Sequence, residues 1–154
     1  MREVWAAFRR GGVEGVLALA DEDAYWRPHS ARSRSFATTS EYREQLARNE
    51  AEGERIEATA TGMWSYGDIV VVRGRMRIRG RRGLLEDTRM YWLFGVREKR
   101  RLSRVASSPD LAGLLRDAGH DDPVLTREAF IALHRAAKVE LDDGGPAAPP
   151  LAEG

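Results

Sequence analysis

The chain has 154 residues, 42% of them hydrophobic and 32% charged, with 25 basic and 24 acidic side chains for a net charge of +1. That length and mix predict one folded domain that buries about 70% of its unfolded surface rather than a disordered chain. A net charge near zero argues against nucleic acid as a partner, the lack of cysteine excludes disulfides and thiolate metal sites, and no apolar run approaches the ~20 residues of a membrane span.

Residues 2–10 carry Val4, Trp5 and Phe8 at helical spacing, and Gly11-Gly12 predicts the end of that helix. This segment is amphipathic and has no apolar h-region, so no secretory leader is expected, and a cytoplasmic location is. Val13 to Ala20 forms a second short helix with Val13, Val16, Leu17 and Ala20 on one stripe, and Asp21-Glu22-Asp23 breaks it. Ala24 to His29 reads as a short aromatic strand, with Pro28 at its end or at an edge position. Residues 30–39, rich in Ser, Arg and Thr, read as a loop. Ser40 is the expected N-cap of a helix over 41–51 that turns Tyr42, Leu46 and Ala47 inward.

From Glu54 the apolar period becomes two. Residues 54–66 form a strand bulged at Gly62, and Gly67-Asp68 is a tight hairpin turn. Ile69 to Gly80, Leu85 to Arg97 and Arg101 to Ser107 follow as strands, separated by turns at 80–83 and 98–100. Four strands linked in this way predict an antiparallel meander. Ser108-Pro109-Asp110 starts a helix that Gly119 stops. Thr126 is the expected cap of a last helix over 127–141, with Phe130, Leu133, Ala137 and Leu141 on its apolar stripe. Residues 142–154 read as a disordered tail.

This order of elements, with Val4 to Phe8, Gly12 to Leu19, Asp23-Ala24-Tyr25-Trp26-Arg27-Pro28, Gly67-Asp68-Ile69-Val70-Val71-Val72 and Tyr91-Trp92-Leu93-Phe94 to Leu102, resembles the nuclear-transport-factor-2-like superfamily in its polyketide-cyclase-like, ketosteroid-isomerase-like branch. The resemblance covers residues 2–119. It implies an α+β fold in which a curved antiparallel sheet wraps around helices as a cone-shaped barrel, often as a homodimer. Its members include isomerases, cyclases, dehydratases, epoxide hydrolases and non-catalytic domains, so fold alone does not choose a function. The usual glycine of the last hairpin turn is replaced by Lys99-Arg100. The expected domain is therefore 1–119. An extra helix over 120–141 would dock over the mouth of the cone or on a partner subunit, and 142–154 would be the tail.

Strand parity says what faces inward. Val70, Val72, Gly74, Met76 and Ile78 share one face, and Arg73, Arg75, Arg77 and Arg79 share the other. Four unpaired arginines cannot fill a core, so the apolar face is the concave one. Thr88, Met90, Trp92, Phe94 and Val96 join it. Trp26, Met76, Thr88, Met90 and Trp92, with hydroxyls from Tyr42 and Tyr66, are the expected lining of an apolar ligand pocket. The alternative is a filled core in a non-catalytic dimerisation or interaction module.

Chemistry is thinner. His29, after Trp26-Arg27-Pro28 at the strand end, is the best lone candidate for an acid or base. Among carboxylates, Glu57 and Asp87 face outward, Asp68 sits in a turn, and Glu57, Glu86 and Asp87 are expected to pair with the arginine stripe. No metal-ligand spacing, Asp-Arg-Asp epoxide-hydrolase set, phosphate loop or dinucleotide fingerprint is present, so no metal or cofactor is expected. His120 and His134 receive no role. The expected partners are a small apolar ligand and a second copy of the chain, the latter through outward Tyr91 and Leu93, and neither nucleic acid nor a membrane. The expected function is small-molecule binding, with isomerase, cyclase and dehydratase chemistry open.

Overall fold

In the computed structural model, residues 2–29 and 34–142 are described. Five strands, β1 (Ala20–Arg27), β2 (Arg55–Tyr66), β3 (Ile69–Gly80), β4 (Gly83–Val96) and β5 (Leu102–Ser108), form one open, curved sheet in the order β1-β5-β4-β3-β2. β2 to β5 are the expected antiparallel meander, and β1 runs parallel to β5 at the far edge. Helices α1 (Arg2–Leu17) and α2 (Thr39–Ala51) pack with the concave side, giving the α+β cone that the sequence predicts.

Several boundaries move, each for a local reason. The N-terminal region is helical from Arg2 to Leu17 rather than split in two, but it is not straight. In an ideal helix Gly15 would lie about 12 Å along the axis from Ala7. Here a Cβ on Gly15 would sit 2.1 Å from the Ala7 carbonyl oxygen. The run therefore doubles back in the interval that holds Gly11 and Gly12, the kind of pair at which helices bend. The side chain of Phe8 lies outside the described residues. β1 begins at Ala20, so Asp21-Glu22-Asp23 sits inside a strand instead of breaking a helix. An edge strand tolerates this because Asp21 receives hydrogen bonds from Arg97 and Arg101, at 3.1 and 3.0 Å. Arg101 foremost, together with Arg97, holds the Asp21 carboxyl below its ordinary range. Within the expected loop, Phe36 forms a buried antiparallel bridge with Trp26.

Helix caps differ from the expected residues, upstream at α2 and at the last helix, and two residues downstream of Ser108 at the helix that follows β5. Thr38, not Ser40, caps α2 by accepting from the Glu41 N–H. Asp110 caps α3 (Leu111–Asp117) by accepting from the Gly113 N–H. The last helix, α4 (Pro123–Asp142), opens with proline in its first turn and the Asp122 carboxylate on the Val124 N–H. Thr126 is inside the helix and bonds back to the Asp122 carbonyl.

The sheet has a core on each side. On the concave side Val16, Leu17, Trp26, Tyr42, Val70, Val72, Phe94 and Val105 are buried together. On the convex side Ile69, Val71, Leu93 and Ala106 are sealed by Leu111, Leu114 and Leu115 of α3 and by Ala129 and Leu133 of α4. α4 thus lies across the outside of the sheet, away from the mouth of the cone, and is no lid. Its inward stripe is Leu125, Ala129 and Leu133, whereas Phe130 is 48% exposed and lies against the His134 ring at a tilt. The side chains of Ala137 and Leu141, and the tail from 143 onward, lie outside the described residues. Leu93, from which pairing of two copies was read, is 1% exposed beneath these helices, so the bare outer face that the argument required does not exist there.

The convex cover ends where the sequence changes. Past Val72 the outer side chains are Arg73, Arg75, Arg77 and Arg79. Asp87 pairs with Arg75 and Arg77, Glu57 pairs with Arg79, and Arg73 reaches Thr61. The Arg75 guanidinium, aided by Arg77, holds Asp87 below the usual carboxylate range.

Candidate functional site

The concave face closes around a small cavity. β1 supplies Trp26, whose indole N–H donates to Thr39 Oγ1 at 3.0 Å. The Thr39 hydroxyl in turn donates to the Asp21 carbonyl at 2.6 Å, which ties α2 to β1. Tyr42, one turn into α2, stacks on the Trp26 ring with centroids 4.6 Å apart, and Phe36 lies 5.3 Å from Tyr42. Met76 and Trp92 face these rings across the cavity, with Ile56 and Ala58 of β2 beside them and Val4 and Val13 of α1 closing one side. Burial pushes the Tyr42 phenol well above its ordinary value, so it is a neutral group throughout the physiological range. The cavity offers about 60 Å³ to the centre of a water-sized sphere. At roughly 10–15 Å³ per water, that is room for a few waters or a ligand of few heavy atoms.

Thr39 is the buried polar residue on which the aromatic wall depends, at 4% exposure. Thr39→Val keeps the shape but strands the indole N–H and the Asp21 carbonyl. The expected cost is about 1–3 kcal/mol in a urea unfolding experiment. A variant as stable as the parent would show that the hydroxyl is not what fixes Trp26.

At the rim the chemistry changes. β1 ends at Arg27, and Pro28 turns the chain so that the His29 N–H donates to Ser107 Oγ at 2.8 Å. The His29 ring then reaches Glu86, with Nε2 3.7 Å from Oε1. The other oxygen, Glu86 Oε2, is buried and has no hydrogen-bond partner among the described residues. A buried, unpartnered carboxylate oxygen is costly unless something else completes it. Glu86 stands opposite Ile78 in the ladder, and Thr88 opposite Met76, so Glu86 belongs to the concave face.

The expected lining divides. Trp26, Tyr42, Met76 and Trp92 line the cavity. Met90 does not: it is 0% exposed and packs with Met76 and Ile78 as solid core. Thr88 has the concave parity but lies along β4 beyond the cavity. Tyr66 is on the wrong face. It is 48% exposed, 5.9 Å from Trp64 and 5.7 Å from His120 on the convex side. The bulge between Ala60 and Gly62 reverses parity, so Ile56, Ala58 and Ala60 point in while Trp64 and Tyr66 point out. Sequence reasoning singled out His29 but missed its partner Glu86. The signal was present, since Glu86 is two residues from Thr88 and shares its face. It was overridden by assigning Glu86 to the arginine stripe.

Among the described residues no three His, Asp or Glu side chains gather as a metal site, and no helix is long and apolar enough to cross a membrane.

No family model matches the chain, and no curated protein matches it in sequence. Solved structures do match in shape. An NTF2-like protein of unknown function from Burkholderia pseudomallei K96243 aligns at 19% identity and TM-score 0.57, over 75% of this chain and 91% of that one. A hypothetical protein with a ketosteroid-isomerase-like fold from Catenulispora acidiphila DSM 44928, in complex with trimethylamine, aligns at 19% identity and TM-score 0.57, over 75% and 89%. A candidate polyketide cyclase from Xanthomonas campestris pv. campestris aligns at 14% identity and TM-score 0.56, over 79% and 93%. The convex helix α4 notwithstanding, this chain has the NTF2-like cone fold, in the form shared by ketosteroid-isomerase-like and polyketide-cyclase-like structures.

Proposed function

We propose that the concave cavity binds a small, mostly apolar molecule and that Glu86 and His29, next to Pro28 and Ser107 of its lining, handle a proton on it. The observation that carries this is the buried Glu86 Oε2, an acceptor without a donor among the described residues, on the concave face in the same cross-strand row as Ile56, which lines the hollow. A ligand O–H or an acidic C–H is the kind of group that would complete it. His29, held through its backbone by Ser107, sits where it can give or take a proton from the other carboxylate oxygen. The trimethylamine in the Catenulispora structure has the size that a cavity of this volume suits. Isomerisation, cyclisation and dehydration each involve a proton transfer of the kind this pair could perform.

Benzene and phenol are suitable probes. Both should shift the NMR signals of the Met76 methyl and the Trp92 indole N–H, and Ala58→Phe, which fills the hollow, should abolish both effects. Phenol should bind about tenfold more tightly than benzene, because its hydroxyl reaches the Glu86 carboxylate. Glu86→Gln should erase that difference while leaving benzene binding intact. No shift at Met76 or Trp92 would remove the pocket. Equal affinity for the two probes in the parent protein would remove the proton-handling role.

A further inference from the structure

We infer that the convex side of the sheet carries a second binding site, specific for a small oxyanion with an apolar body, between β1, β5 and α3. A cavity of about 400 Å³ opens there, its floor on the opposite side of the sheet from the apolar hollow, with Pro28, Ala106 and Ser107 lining both and His29 lining this one. Its floor is apolar, formed by Leu93, Ala106 and Leu114, and three guanidinium groups stand around it, those of Arg27, Arg104 and Arg116. Two carboxylates share the rim, and both are already engaged. Asp117 receives Arg27 at 2.8 Å. Asp110 caps α3 through the Gly113 N–H at 3.2 Å.

The remaining donors are held in place. Arg104 gives one N–H to the Asp117 carbonyl at 2.7 Å, and its guanidinium lies 5.4 Å over the centre of the Tyr25 ring. Those two contacts fix the plane of the group and leave its other N–H atoms available. Arg116, at the end of α3, makes no ion pair among the described residues. Two guanidiniums with open N–H atoms beside an apolar floor match the fork geometry of a carboxylate or a phosphate ester. The apolar floor favours an aromatic or branched aliphatic body over a bare inorganic ion.

Three probes separate the alternatives when titrated into the isotope-labelled protein: benzoate, phenyl phosphate and benzyl alcohol. Either anion should give saturable NMR shifts at the Gly113 and Leu114 amides and at the Arg104 Nε–H. Benzyl alcohol, which has the same ring without the charge, should give none. Arg116→Gln removes an exposed side chain that makes no ion pair among the described residues and should weaken the anion severalfold. Combining it with Arg104→Gln should weaken binding about tenfold or more. The tighter of the two anions identifies the ligand as a carboxylate or a phosphate ester, and either result supports the site. Non-saturating shifts, equal binding of benzyl alcohol, unchanged affinity in Arg116→Gln and in the double variant, or shifts confined to Met76 and Trp92 would overturn it.

Discussion

Gly74→Ala is expected to cost about 3 kcal/mol or more, a large part of the 5–15 kcal/mol that holds a typical domain together. Gly74 lies mid-way along β3, opposite Ala60 on one side and Met90 on the other. A Cβ there would stand 1.8 Å from the Thr59 carbonyl oxygen and 2.9 Å from its carbon. Both are backbone atoms, so no rotamer change can relieve the overlap. The bulge of β2 between Ala60 and Gly62 brings its main chain across β3 at this point. Accommodating even a methyl group would pull β2 away and open the ladder. Gly83→Ala offers a control: its φ of 118° is unfavourable for alanine, but nothing lies within 4 Å of the new methyl. That change should cost only about 1 kcal/mol. Urea unfolding of both variants checks the order, and a Gly74→Ala protein within 1 kcal/mol of the parent would mean that the strands do not approach so closely.

Leu133→Ala should be the second severe change, costing about 2–5 kcal/mol. Leu133 is 0% exposed, packed with Val71, Leu93 and Leu115 in the convex core. Its backbone lies directly on Gly62, where a Cβ would come 2.5 Å from the Leu133 carbonyl oxygen, so the helix is too close for the gap to collapse onto a bulkier strand residue. Phe130→Ala, on the face turned to solvent, should cost less than about 1 kcal/mol despite the larger deletion. The reverse order in thermal melts would place the helix on its other face.

The contrast shows what the sequence could and could not convey. The apolar face of β3 was legible from alternation, because Arg73 to Arg79 leave no other choice. The convex cover was also written there, though less visibly. Ile69-Val70-Val71-Val72 is an unbroken apolar run, the mark of a strand buried on both faces, and alternation begins only at Arg73. Read that way, the run predicts something over Ile69 and Val71, and α4 is that cover. The bulge of β2 was legible at Gly62, but its effect on Tyr66 was not carried through, since one inserted residue inverts every side chain after it and turns Tyr66 outward. Caps failed for a related reason. Ser40, Ser108 and Thr126 are each sound cap residues, but the side chain that reaches the first free N–H groups is settled by how the preceding loop is held. Glu86 was a different kind of miss. Composition around it suggested a partner for arginine, while its parity, which was decisive, put it with Thr88.

The parallel pairing of β1 with β5 carries a kinetic consequence. Ala20 pairs with Leu102 and Trp26 with Val105, so the first strand of the chain joins the last one at the sheet's edge, with the other three strands between them in sequence. The meander can form from successive neighbouring hairpins, each a local event, but beyond the local Trp26–Phe36 bridge β1 has no strand partner until β5 exists. During synthesis the wall that carries Trp26 must therefore wait for every other strand to emerge before it joins the sheet. The aromatic side of the cavity is then the last part of the sheet to be assembled, and Trp26 fluorescence should report the slowest step of refolding.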